Sequence, residues 1–149
     1  MSKDKQDNEI DSKLIYDGVS VDWFLQHLSE LTNASDLELG ITLQVSGQTI
    51  TGTMIGGKKY FKLFAESFSD AWPFEDKKER KEIREAFEAN GKIYEGKGDD
   101  EPRRSTQYIH LADARIFEGG RQVPHSEGML WRGKVNSVSG FSLGTLTES

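Results

Sequence analysis

Between residues 20 and 32 the apolar positions Val21, Phe24, Leu25, Leu28 and Leu31 recur at spacings of three and four. That period places them on one face of an amphipathic helix of about three turns. Ser20 or Asp22 can serve as its N-cap, and Asn33 to Asp36 supply the stop. The period then changes to two. Leu39, Ile41, Leu43 and Val45 alternate with Gly40, Thr42, Gln44 and Ser46, the repeat of a half-buried strand. Gly47-Gln48 reads as a tight connection, and the β-branched run from Thr49 to Ile55 completes a predicted hairpin over residues 38–56. Gly52 lies inside the second strand, where glycine marks a bend or bulge.

After Gly56-Gly57 the period returns to that of a helix. Phe61, Phe64, Ala65, Phe68 and Trp72 form an aromatic face that ends at Pro73. Residues 75–88 carry six acidic and five basic side chains around Ile83, Ala86 and Phe87, which predicts a largely solvated helix stopped by Asn90-Gly91. A glycine-rich acidic connection, Gly96 to Pro102, leads to a second β block. Its strands are expected at Tyr108 to Ala112 running on to Phe117, at Met129-Leu130-Trp131, and over Lys134 to Leu146, with a turn at Gly119-Gly120 and a loop from Val123 to Gly128. Five short, strongly bent antiparallel strands without crossover helices suggest a small barrel.

Composition narrows the possibilities. The chain of 149 residues is about one domain long. A hydrophobic fraction of 35% beside 30% charged residues leaves less core than usual, so part of the chain is expected to be tail or linker. Residues 1–17, with five acidic residues and only Leu14, Ile15 and Tyr16 as an apolar cluster, are the expected disordered tail, and 18–149 the single domain. The net charge of -6 argues against a free-standing nucleic-acid binder. No cysteine is present, which excludes disulfides and thiolate-ligated metal. No apolar run reaches the roughly 18 residues of a membrane span, so a soluble, cytoplasmic protein is expected.

Catalytic signatures are weak. His27, His110 and His125 show no paired metal-ligand spacing, and no nucleophile elbow exists around any serine. Gly56-Gly57-Lys58-Lys59 lacks the earlier glycine and the following Ser or Thr of a phosphate loop, so it reads as a strand-end turn. No enzyme, cofactor or metal site is expected. A hydrolase using His110 or Asp113 is the weakest alternative. Lys58, Lys59, Tyr60, Phe61 and Trp72 are the candidate partner contacts, with core lining as the competing role of the aromatic members.

Two resemblances add to this reading. Tyr108-Ile109-His110-Leu111-Ala112-Asp113-Ala114 followed by Leu130-Trp131-Arg132-Gly133-Lys134-Val135 resembles the two signature segments of the Sm-like barrel, an apolar strand ending in an acid and then an Arg-Gly bend. The implied fold is α+β: a small Sm-like (SH3-type) antiparallel β-barrel with an N-terminal helix and a helical insertion at about 57–105, between the second and third strands. An RNA-binding module is the alternative function that this likeness implies, although Ser105 to Ser149 carry only four basic residues against four acidic ones.

The run Leu39-Gly40-Ile41-Thr42-Leu43 to Gly47, continued by Thr51-Gly52-Thr53 and Gly57-Lys58-Lys59-Tyr60-Phe61, resembles the gas vesicle accessory protein GvpU family. Unpaired edge strands of the barrel can associate edge to edge, so a homo-oligomer is expected. The GvpU likeness implies a non-enzymatic cytoplasmic protein. It would influence the assembly or clustering of gas vesicles through their shell or other gas vesicle proteins.

Overall fold

The computed structural model describes residues 3, 5–9, 21–73, 75–95 and 106–147. Within the expected tail, residues 5–9 form a short exposed helical stretch, and 10–17 lie outside the described residues. The expected helix is α1 (Trp23–Ala34), and Asp22 is the cap: its carboxylate accepts from the Phe24 and Leu25 N–H groups at 2.9 and 3.1 Å. Two of the donors that a helix start leaves unpaired are thereby satisfied.

The hairpin pairs β1 (Leu39–Val45) with β2 (Gln48–Ile55). Its turn lies one residue earlier than expected, on Ser46-Gly47, with φ of 51° and 82°. Positive φ at both central positions matches the right-handed twist of the flanking strands, so Gln48 is free to begin β2. Ile41 and Leu43 point into the core with Ile50 and Met54, as the alternation predicts. Thr42 and Thr51 occupy the opposite face and are buried too. The Thr42 hydroxyl donates to Gly144 O at 2.8 Å, and Thr51 Oγ1 accepts from Leu146 N–H at 2.9 Å, which fastens the C-terminal segment over that face.

The second block is β3 (Tyr108–Glu118), β4 (Arg121–Val123), β5 (Met129–Lys134) and β6 (Val138–Leu143). Among the described residues the chain thus has six strands rather than five. The extra one, β4, lies partly in the expected loop and pairs Val123 with Ile116. The sheet is antiparallel throughout, in the order β4-β3-β2-β1-β6, with β5 also on the free side of β3.

The sheet cannot be flat. β5 and β6 are separated by β3, β2 and β1, four interstrand steps that would span roughly 19 Å at about 4.8 Å each. Only the 3-10 turn Val135–Ser137 joins them, and four extended Cα steps reach at most roughly 14 Å. Lys134 moreover pairs with Tyr108 at one end of the sheet, whereas Val138 pairs with Val45 at the other. The sheet must therefore roll up. Among the described residues no ladder joins β5 to β6, so the rolled sheet is open rather than hydrogen-bonded into a closed barrel.

Two coupled irregularities provide the bend. The β2–β3 register shifts at Gly52, and the β3–β5 register shifts between Leu111 and Ala114. There Asp113 adopts φ 50°. Its carboxylate takes up the strain locally, accepting from Gly128 N–H at 2.9 Å and pairing with Arg115 at 2.9 Å. Gly52 is required by close approach: a Cβ would lie 3.0 Å from Ala114 Cα and 3.1 Å from Ala112 O. The bend expected at Gly52 is thus present, with Asp113 as its partner across the ladder.

The insertion comprises α2 (Gly57–Asp70), α3 (Lys77–Glu88) and a 3-10 helix, Ala89–Tyr94. Asp76 caps α3 through the N–H groups of Lys78 and Glu79. Asn90-Gly91 does not end the helical segment, which tightens to 3-10 and continues to Tyr94. Gly91 instead permits contact between elements, since a Cβ there would sit 3.0 Å from Lys58 Cα.

Gly52→Ala should cost about 1–3 kcal/mol by forcing β2 away from β3. Gly140→Ala, whose added Cβ meets nothing within 4 Å, should leave stability unchanged or raise it by up to about 1 kcal/mol. Urea unfolding midpoints of the two variants check this. Equal midpoints would contradict the bend assignment.

Candidate functional site

Alternation along β3 separates two environments. Ile109 and Leu111 enter the core, whereas Tyr108 and His110 face the opposite side, where β5 sets Arg132 directly across from His110. The helical insertion covers this second face. Tyr60 and Phe61, on the first turn of α2, place their rings 4.8 and 6.1 Å from the His110 ring. Tyr94, from the end of the 3-10 helix, approaches it at 5.1 Å and an interplanar angle of 83°. Gly57 makes this approach possible, because a Cβ would lie 2.4 Å from the Tyr94 ring.

The polar centre of the cluster is Arg132. Its Nε–H donates to His110 Nε2 at 3.1 Å and an Nη2–H donates to Tyr94 Oη at 3.3 Å. The guanidinium carbon stands 3.7 Å from the Tyr108 ring centroid and 5.7 Å from that of Phe61. His110 is 1% exposed. Burial, and then the neighbouring Arg132 charge, push its pKa down from 6.5 to about 3. The imidazole is therefore neutral near pH 7, with Nε2 as the acceptor and the proton on Nδ1. Burial likewise raises the Tyr60 pKa, opposed by Arg132.

This chemistry is that of a positioned cation on an aromatic platform. The His110 lone pair is engaged by Arg132, and Asp113 is engaged by Arg115 and Gly128, so the two residues of the hydrolase alternative are held apart in separate contacts. Among the described residues no cluster of three or more His, Asp or Glu side chains could hold a metal ion.

The five candidate contacts divide. Tyr60 and Phe61 belong to the cluster, Tyr60 buried and Phe61 half-buried. Lys58 and Lys59 are exposed beside them, paired with Glu95 at 3.4 Å and with Glu38. These lysines border an open groove of about 1310 Å³ between the α1–β1 connection, α2 and the 3-10 helix, which Lys62, Lys92, Glu66 and Glu88 also line. Trp72 lies past the opposite end of α2. There it touches Phe68 at 5.8 Å, and its carbonyl accepts from Arg80 at 3.2 Å. The middle of the aromatic face packs within the insertion, with Phe64 and Phe68 placed 5.8 and 4.4 Å from Phe87.

The sequence does not single out Tyr94 or Tyr108 as site residues, and it marks Arg132 only as part of a bend. The two-residue spacing of Tyr108 and His110 was a usable signal for one shared face. Nothing local marked Tyr94, whose place depends on how the insertion closes.

The fold thus defines an α+β protein: an open, rolled antiparallel sheet with its core on one face and, on the other, a helical insertion that covers His110 within an aromatic–arginine cluster whose Arg132 stays exposed. A family model described as gas vesicle protein GvpU-like matches residues 22–146, most of the chain, and the chain belongs to that family. The resemblance noted in the hairpin and the start of α2 is confirmed by this match, and the protein is a gas vesicle-related one. No curated protein and no solved structure matches the chain. Among the described residues no helix is long and apolar enough to cross a membrane.

Between pH 6.5 and about 3 the unfolded chain binds a proton at His110 that the folded chain refuses, so stability falls as the pH falls through this window. The slope from this residue approaches about 1.4 kcal/mol per pH unit. His110→Gln should remove it. Urea midpoints measured from pH 7 to pH 4 should converge for the two proteins on acidification, and parallel curves would contradict the assignment.

Proposed function

We propose that this protein is a non-enzymatic accessory factor that influences gas vesicle assembly or clustering through self-association and contacts with the vesicle shell or other gas vesicle proteins. Membership of the GvpU-like family carries the reading, and it implies a cytoplasmic setting beside the vesicles. The finer fold assignment, a small Sm-like (SH3-type) barrel, belongs to the same proposal and is supported by the roll of the sheet and the 3-10 link between β5 and β6.

Surface features are compatible with association. Among the described residues no strand pairs with the outer edge of β6, whose sequence from Val138 to Leu143 contains neither charge nor proline. Edge strands are ordinarily guarded by such residues. Beside this edge Phe24 is 48% exposed and packs against Phe141 at 5.8 Å, and Leu143 is 71% exposed. Lys58, Lys59, Tyr60, Phe61 and Trp72 are proposed as partner contacts through α2. The exposed members of that set are Lys58 and Lys59 at the groove, and Trp72 at the far end is half-buried, as Phe61 is. Weak contacts repeated on one oligomer would give avidity for a repetitive shell.

The test is co-sedimentation of the purified protein with gas vesicles across a salt series, together with vesicle dispersion in cells lacking it. Salt-sensitive co-sedimentation and altered clustering are expected. Unchanged dispersion on both deletion and addition would overturn the proposal. Trp72→Ala separates contact from packing: lost vesicle binding at an unchanged thermal midpoint marks an interface. A loss of about 3–5 kcal/mol of stability would mark packing and remove Trp72 from the contact set.

A further inference from the structure

Arg132 is exposed at the rim of the aromatic cluster, yet its guanidinium is held in place from several sides by neutral groups. His110 Nε2 accepts from Nε–H, Tyr94 Oη accepts from Nη2–H, and the Tyr108 ring lies 3.7 Å from the guanidinium carbon. A guanidinium has five N–H donors, so about three remain uncommitted. The Tyr94 hydroxyl, having accepted from Arg132, keeps its own O–H to donate beside them. Among the described residues no carboxylate pairs with Arg132, although the chain carries 25 acidic residues against 19 basic ones. Lys134, opposite Tyr108 on the ladder and exposed, adds positive charge on the same face.

We propose that Arg132 and Tyr94 form an oxyanion-binding site that takes a carboxylate group. The planar fork of a guanidinium matches a carboxylate in bidentate geometry, and the Tyr94 O–H adds a third donor. Immobilisation on β5 matters energetically. A free arginine loses rotamer entropy when it closes on a ligand, whereas here the fold has already fixed the side chain. The buried His110 is the positioning residue, since it holds Nε–H with a neutral acceptor and leaves the outward N–H groups of the guanidinium to a ligand. The inference stands on this geometry and does not depend on the vesicle reading.

The experiment follows the Arg132 Nε–H resonance of the full chain by ¹⁵N NMR at pH 7, assigned by its loss in Arg132→Lys. Sodium acetate, sodium phosphate and sodium chloride are titrated separately at matched ionic strength. Acetate is expected to move the resonance saturably, and chloride is not. Tyr94→Phe, which keeps the ring against Gly57, should weaken acetate binding severalfold. Arg132→Lys, followed through the Gly133 amide, should weaken it at least tenfold while the thermal midpoint shows the chain still folded. Equal responses to acetate and chloride would overturn the site. Saturation by phosphate alone would overturn the carboxylate assignment, and wild-type affinity in Tyr94→Phe would remove Tyr94 from it.

Discussion

The rest of the structure depends on a short covalent link. Val135–Ser137 joins β5 to β6, strands on opposite sides of one sheet and anchored at opposite ends of it. Because three residues cannot bridge a flat sheet of that width, the sheet is forced to roll, and rolling encloses Ile41, Leu43, Ile50, Met54, Ile109 and Leu111. Val135 holds the link in place from within: it is fully buried in the same core, and its N–H donates to Gln107 O at 2.9 Å. Hydrophobic burial thus secures the constraint that makes the burial possible.

Rolling imposes strain where the strands cross, and the chain places it at Gly52 and Asp113. The first removes a side chain where two strands come too close, and the second accepts a left-handed backbone while spending its carboxylate on Gly128 and Arg115. Polar side chains of α1 then tie the remaining connections together. Gln26 donates to Thr106 O at 2.7 Å, Ser29 donates to Tyr108 O at 3.1 Å, and Asn33 accepts from Gly57 N–H at 2.8 Å. These bonds fix the start of β3 and the start of α2 relative to one helix. The Tyr60, Phe61, His110 and Arg132 cluster forms between those two starts, which explains its position beside the groove rather than at the far end of the insertion.

Burial of His110 gives the cluster its electrostatic character. A protonated imidazole would meet the Arg132 charge in a desolvated site, so the ring stays neutral and serves as an acceptor. The result is a cation stabilised by neutral dipoles and ring faces, with outward donors left over. The helical insertion is more than a decoration of the sheet, because without Tyr60 and Tyr94 the outer face of β3 would be open to water.

Much of this was legible in the sequence. The three-and-four spacing in α1, the alternation in β1, the Asp22 cap, the bend at Gly52 and the family likeness all rest on near neighbours, whose geometry is set by backbone periodicity and sterics. The sequence by itself therefore determined most of the elements, β4 and the 3-10 continuation to Tyr94 excepted, which of their faces are apolar, and the low apolar content overall. Tertiary structure alone decided that the sheet rolls without closing its ladder, that β4 pairs, that Gly91 serves close approach, and that Tyr94 reaches Arg132 across 38 positions. The physical reason is range. Periodicity and capping act over a few residues, whereas strand pairings such as Gln44 with Gly140 depend on chain closure and on the whole set of competing contacts, which no local pattern encodes.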